Sequence, residues 1–198
     1  LWFRNVWDGL WGGSLRRTDG PALLEAVLYE HFRLIKQGSS SRRGEVEGGN
    51  SAFSHSLFRS GWTHQGRTLG LPLVTPPAKT PGVPNDHPGI ANSLIIAHHA
   101  ALEGTVRPGL SYRLTGTYSE NSGATNVCGN VECSELVDRR FPRTGQWSFL
   151  VEAFGQVPGT ERLSYDLGVA IDTGDFRDES VGVRLGLTWD GLYTPATR

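Results

Sequence analysis

The chain has 198 residues and a formal net charge of -1, so it holds one large or two small domains and lacks the charge excess that favours nucleic acid or anionic lipid. It has no run of 18 or more apolar residues, which excludes a transmembrane helix. Glycine (26 residues) and proline (11) are abundant, a composition typical of an all-β chain with many turns. The chain opens on Leu-Trp-Phe-Arg without a signal segment, so we expect a fragment or a processed chain.

Seven stretches of the chain are expected to form strands. Most of them carry an apolar residue at every second position, as strands do when one face is apolar and the other is polar. The second stretch alternates poorly, so its faces are not assigned. The predicted strands cover residues 9–17, 23–36, 92–103, 110–118, 146–156, 163–172 and 181–189.

The connections between these strands alternate in length. In an up-and-down meander, alternate connections lie at the same rim, so one rim carries tight turns and the other carries long loops. Outer-membrane barrels have this asymmetry, with short periplasmic turns and longer extracellular loops. The tight turns are 19–21, 104–109 and 158–160, the long loops are 37–91 and 119–144, and the last connection, 173–179, is intermediate.

The pattern predicts an all-β fold, namely part of an antiparallel up-and-down transmembrane β-barrel with 37–91 and 119–144 as extracellular loops. Apolar stretches of roughly ten residues suit tilted strands that cross a bilayer, and aromatic residues near the strand ends suit interfacial girdles. Seven strands are too few for an even-numbered barrel, so further strands are expected to precede residue 1 or to come from elsewhere. A soluble β-sandwich alternates in the same way and is the alternative.

The polar positions of the strands hold the charges. A slip of one residue in register would expose these charges to lipid, so the alternation predicts that they face the lumen of the barrel. The predicted lumen-facing residues are Arg113, Asp166, Asp172 and Arg184.

No signature of catalysis or of metal binding is present in the sequence. Glu152, Asp166 and Asp172 are interpreted as part of a solvated charge network rather than as a catalytic acid pair. His98 and His99 are adjacent on a strand and therefore point to opposite faces, which is a poor geometry for one metal ion. We expect no enzymatic activity, no cofactor and no metal site.

Cys128 and Cys133 lie close together in a polar stretch. A short loop disulfide is the expected state, which suits an oxidising compartment, and two unpaired thiols are the alternative. Without nearby ligand partners the two cysteines make a poor zinc site.

The segment 60–73 within the first long loop combines an aromatic ring with fixed hydrogen-bonding groups. Sugar sites use such groups, with a ring against the sugar face and polar groups on the hydroxyls. The candidate ligand-binding residues are Trp62, His64, Gln65 and Arg67. Alternatively, Trp62 and Leu69 pack the loop against the mouth of the barrel. Packing of the loop and contact with a ligand are compatible with each other.

Three motifs resemble the Wzi family of capsule assembly proteins. They are Asn-Val-Trp-Asp-Gly-Leu-Trp-Gly at 5–12, Leu-Tyr-Glu at 28–30 and Ser-Gly-Trp-Thr-His-Gln-Gly-Arg-Thr-Leu-Gly-Leu-Pro-Leu at 60–73, and the similarity is strongest over residues 4–73. The resemblance implies the C-terminal portion of a Gram-negative outer-membrane β-barrel that binds capsular polysaccharide and helps to attach it to the cell, without catalysis. The cysteine loop has no match in the family's pattern.

The expected partners are therefore capsular or surface polysaccharide and outer-membrane lipid, with no nucleic acid. Three alternatives stay open at this point: an outer-membrane porin or transporter for small solutes, a soluble all-β carbohydrate-active enzyme, and a purely structural barrel segment.

Overall fold

A computed structural model gives the fold of the chain and describes residues 6–36, 53, 62–65, 67–83, 89–128, 136–160 and 162–190. No helix in these ranges is long and apolar enough to span a bilayer. The strands of the described residues are β1 (Gly9–Arg16), β2 (Ala26–Leu34), β3 (Thr63–His64), β4 (Arg67–Thr68), β5 (Ile95–Arg107), β6 (Leu110–Cys128), β7 (Leu136–Gln156), β8 (Leu163–Gly174) and β9 (Ser180–Trp189).

Seven of these strands form one antiparallel sheet in the order β1-β2-β5-β6-β7-β8-β9, so each strand of the sheet pairs with the one that precedes it. The remaining two, β3 and β4, form a separate two-stranded hairpin inside the long connection between β2 and β5. The prediction of an all-β chain with about seven antiparallel strands is confirmed. The described sheet is open, with β1 and β9 as its edges.

Short connections join β5 to β6 and β7 to β8 at one end of the sheet. Gly109 and Gly159 adopt positive φ values of 80° and 83° there, which glycine tolerates without steric cost. The connection between β1 and β2 reaches the same end, where the Tyr112 hydroxyl donates to the carbonyl of Leu23 over 2.6 Å. We call this the short-turn end and the opposite one the long-connection end.

The prediction of a loop over residues 119–144 was wrong in its bounds. Strand β6 continues to Cys128 and β7 begins at Leu136. Of the predicted loop, only residues 129–135 lie outside the described residues. Two register shifts, between Asn121 and Gly123 and between Ala124 and Val127, mark this extension. The extension is polar, so the period-2 signal of an apolar face disappears although the backbone ladder persists. Because Cys133 falls in 129–135, the predicted disulfide lies outside the described residues.

Cross-strand pairing divides the sheet into two faces of different chemistry. The apolar face has a central row that runs from β1 to β9 through residues 15, 27, 102, 114, 151, 169 and 183, all Leu or Val. These side chains are uncovered: Leu15 is 76% and Val183 is 72% exposed. The polar face carries the alternate residues of the same strands.

The long connection covers the polar face at the long-connection end. Val74 and Ile90 from this connection form a buried cluster with Ile95 and Ala97 of β5, and Phe32 of β2 packs against it. Asn92, which is fully buried, donates to Asn121 Oδ1 (2.9 Å) and accepts from the backbone N–H of Gly123 (3.1 Å). The connection is therefore fastened to the sheet by both apolar packing and buried hydrogen bonds.

Candidate functional site

Six charged side chains cross the middle of the polar face as an alternating chain of ion pairs, which we call the ion-pair row. Five contacts join them: Arg16 to Glu103 (3.1 Å), Glu103 to Arg113 (2.9 Å), Arg113 to Glu152 (3.3 Å), Glu152 to Arg184 (2.9 Å) and Arg184 to Asp166 (2.8 Å). The row is electrically balanced, with three arginines and three carboxylates. Both Glu152 and Asp166 bond to Arg184.

The arginines of the row are more exposed than its carboxylates. The side chains of Arg16 and Arg184 are 60% and 64% exposed, whereas those of Glu103 and Glu152 are only 21% and 10% exposed. The row therefore turns guanidinium groups towards solvent and keeps its carboxylates closer to the sheet.

A glycine makes room for one end of the ion-pair row. Gly186 lies directly opposite Asp166 on the neighbouring strand. A Cβ at position 186 would overlap Asp166 Oδ2 and lie 2.7 Å from Asp166 Cγ. The absence of a side chain at Gly186 lets Asp166 lie across β9 and reach Arg184.

A second polar row lies nearer the long-connection end. Asp172 accepts hydrogen bonds from the hydroxyls of Ser148 and Ser180, the latter over 3.2 Å. Further along, His99 Nδ1 lies 2.8 Å from the Thr117 hydroxyl. These side chains are held in fixed positions, as hydrogen-bonding groups of a binding surface need to be.

A groove of about 980 Å³ opens beside this second row. One wall is formed by residues 67–81 of the long connection, with Arg67 and Lys79, and the other by residues 172–180 at the turn from β8 to β9. Arg177 ties the walls together, because its side chain donates to the carbonyl of Pro72 (3.1 Å) and its backbone N–H donates to Gln146 Oε1 (2.9 Å). The second wall also carries carboxylates, which are Asp172, Asp175, Asp178 and Glu179.

The four candidate ligand-binding residues all lie on or beside the β3–β4 hairpin. His64 and Arg67 pair across the hairpin, and Gln65 occupies its turn with a φ of 49°. Trp62 is 60% exposed and precedes β3. Of the four, Arg67 lines the groove. The hairpin thus brings the four residues together at the long-connection end, and their contact with a ligand stays a prediction.

The polar face also holds the four residues predicted to face a lumen. Arg113, Asp166 and Arg184 belong to the ion-pair row, and Asp172 belongs to the second row. Sequence reasoning missed Arg16 and Glu103 as members of the network and Arg177 as a residue of the groove. Alternation with Leu15 and Leu102 places Arg16 and Glu103 on the polar face, so the signal for these two was present in the sequence.

An aromatic row borders the apolar face towards the long-connection end. Trp11, His31, His98, Tyr118 and Trp147 oppose one another in turn across five neighbouring strands. The rings of Tyr118 and Trp147 lie 4.7 Å apart, as do those of His31 and His98. His98 and His99 point to opposite faces, as strand geometry requires. No group of three or more potential metal ligands occurs within the described ranges.

Comparisons with protein-family models, with curated proteins and with solved structures found no match to this chain. The resemblance to the Wzi family is therefore a prediction from the sequence motifs alone.

Proposed function

We propose that this chain is part of an outer-membrane β-barrel that binds capsular or surface polysaccharide and helps to hold it at the cell surface, without catalysis. One observation carries the membrane part of the proposal. The sheet leaves an apolar face uncovered whose central rows, those of Tyr29 and Leu15, carry no charged residue, while the opposite face is crossed by a continuous row of ion pairs. Two faces with such different chemistry suit two different solvents, lipid on one side and water on the other.

The size of the apolar face supports lipid as its solvent. It spans seven strands, or about 29 Å, and extends about 27 Å along β7 from Trp147 to Gly155. Strands β1 and β2 are shorter, so the area of the apolar face is on the order of 600–800 Å². The largest apolar patch of a typical soluble monomer is about 300–600 Å², which this area equals or exceeds. From the aromatic row to the row of Leu15, the paired described residues include no Asp, Glu, Lys or Arg. Charged residues come in at the short-turn end, where Arg107 pairs with Leu110 and the backbone N–H of Arg17 donates to the carbonyl of Glu25.

The aromatic residues fit the borders of a bilayer. The aromatic row lies at one border, and Tyr112, Tyr165 and Trp189 lie towards the short-turn end. The 27 Å between these borders becomes about 21 Å when a strand tilts by roughly 40°, against an apolar band of about 25 Å in membrane barrels. Amphipathic rings at both borders are typical of interfacial girdles.

The binding part of the proposal is supported by the groove and by the hairpin beside it. Both lie at the long-connection end, which would face the cell exterior in a barrel with short periplasmic turns. The groove combines cationic, anionic and hydroxyl groups, and the exposed Trp62 offers a ring to the apolar face of a sugar. The Wzi resemblance adds the expectation that the ligand is capsular polysaccharide.

The proposal predicts that Trp62→Ala combined with Arg67→Ala releases polysaccharide from the cell. The measurement is the ratio of cell-bound to shed polysaccharide in encapsulated Gram-negative cells that carry only the variant protein. Gln156→Ala, an exposed polar position at the short-turn end, is the matched control and should leave that ratio unchanged. Full retention by the double variant, at a normal level of the protein in the outer membrane, would show that the hairpin does not bind the ligand.

A further inference from the structure

The arginines of the ion-pair row carry N–H donors that the described ion pairs do not use. Each guanidinium offers five N–H donors. Arg16 gives one of them to Glu103, and Arg184 uses one nitrogen for Glu152 and another for Asp166. The described contacts therefore leave most of the donors of these two arginines unused, on side chains that are more than half exposed.

The arginines are also evenly spaced. In the order of the sheet, β1 is the first strand, β6 the fourth and β9 the seventh, and these strands carry Arg16, Arg113 and Arg184. Neighbouring strands lie about 4.8 Å apart, so successive arginines are about 14 Å apart across the sheet. The carboxylates of the row lie between them and are less exposed than the arginines they contact.

We infer that the polar face is itself a binding surface for an anionic polysaccharide, whose carboxylate groups are received by the exposed guanidinium groups of the ion-pair row. The inference rests on the proposed polysaccharide-binding function and adds the chemical class of the ligand and a second contact surface away from the groove. Guanidinium forks bind carboxylates through two parallel hydrogen bonds, which gives both affinity and orientation. The carboxylates of the row neutralise the arginines in the free protein, so the surface holds an acidic chain without carrying a large net charge.

The test uses the full protein in a neutral detergent, with polygalacturonate as the anionic probe and dextran of matched length as the neutral probe. Arg16→Gln and Arg184→Gln should each weaken polygalacturonate binding by about tenfold, as expected for loss of a charge-assisted hydrogen bond. Dextran binding should not change. Arg16→Lys and Arg184→Lys should restore part of the affinity, because the charge returns without the fork.

Arg143→Gln is the matched control. Arg143 is 63% exposed and pairs with Glu120 over 3.3 Å, much as Arg16 pairs with Glu103, but it lies on the other face of the sheet. Its loss should leave polygalacturonate binding intact. Weaker polygalacturonate binding at higher salt, with little effect on dextran, is also expected.

The outcomes separate this inference from the proposed function. Binding of polygalacturonate that falls with Arg16→Gln and Arg184→Gln, but not with Arg143→Gln, supports the inference. Equal binding of both probes, insensitive to the two substitutions, overturns it and leaves polysaccharide binding standing. If neither probe nor the cell's own capsular polysaccharide binds, both proposals fail.

Discussion

A charge on the apolar face distinguishes lipid from water as the solvent of that face. Val183 is 72% exposed in the middle of β9, so in water its replacement by arginine is a surface change that costs within about 0.5 kcal/mol. If the face contacts acyl chains, Val183→Arg places a cation near the bilayer midplane, which costs about 2–4 kcal/mol. The costs in the two solvents therefore differ by about 1.5–4 kcal/mol, or about 10-fold to 1,000-fold in the unfolding equilibrium.

The assay is urea unfolding of the protein reconstituted into phospholipid vesicles, with the free energy of unfolding compared between variants. Thr188→Arg is the control, because Thr188 is an exposed residue of the same strand on the polar face. We expect Val183→Arg to lose about 2–4 kcal/mol and Thr188→Arg about 0.5 kcal/mol or less. Equal costs for the two substitutions would refute the assignment of the apolar face to lipid.

Three further predictions follow from the polar face. Gly186→Ala should displace Asp166 from Arg184. Because this ion pair is partly exposed, unfolding in vesicles should show a loss of about 1 kcal/mol or less in the free energy of unfolding. A structure of the variant that keeps the contact between Asp166 and Arg184 would contradict the prediction. Asn92→Ala should leave the buried Gly123 N–H and Asn121 Oδ1 without the Asn92 side chain as a partner, which costs about 1–3 kcal/mol for each group left unpaired. The amides of the long connection should then exchange faster with solvent. Unchanged exchange would show that Asn92 does not hold this connection to the sheet. Because the long connection packs over the polar face, conductance across a planar bilayer should stay low, and a steady open pore would favour the porin alternative.

Alternation in the sequence was enough to predict the faces of the clearest strands. In β9, the residues Val181, Val183, Leu185, Leu187 and Trp189 share one face, as the sequence indicates. Strand β2 alternates poorly for a physical reason. Its polar-face residue Phe32 packs against the buried cluster beneath the long connection, so β2 has apolar residues on both faces.

The groove could not be predicted from the sequence in the same way. Its walls come from parts of the chain far apart in sequence, and the contact from Arg177 to Pro72 joins residues with no local pattern in common. The ion-pair row was partly predictable, because alternation places its members on one face. The pairing of each arginine with its carboxylate depends on the cross-strand register and on the space left by Gly186. Alternation in the sequence predicts neither of these.

The most direct test of two solvents compares neighbouring residues in the centre of the sheet. Leu114 lies on the apolar face of β6 and Thr115 on its polar face. In a background with Cys128→Ser and Cys133→Ser, spin labels at Leu114→Cys and Thr115→Cys report which solvent each face meets in vesicles. We predict that lipid-dissolved oxygen relaxes the label at position 114 and that a water-soluble nickel chelate relaxes the label at position 115. A label at position 114 that meets the nickel chelate, or meets neither reagent, would contradict a lipid-facing sheet.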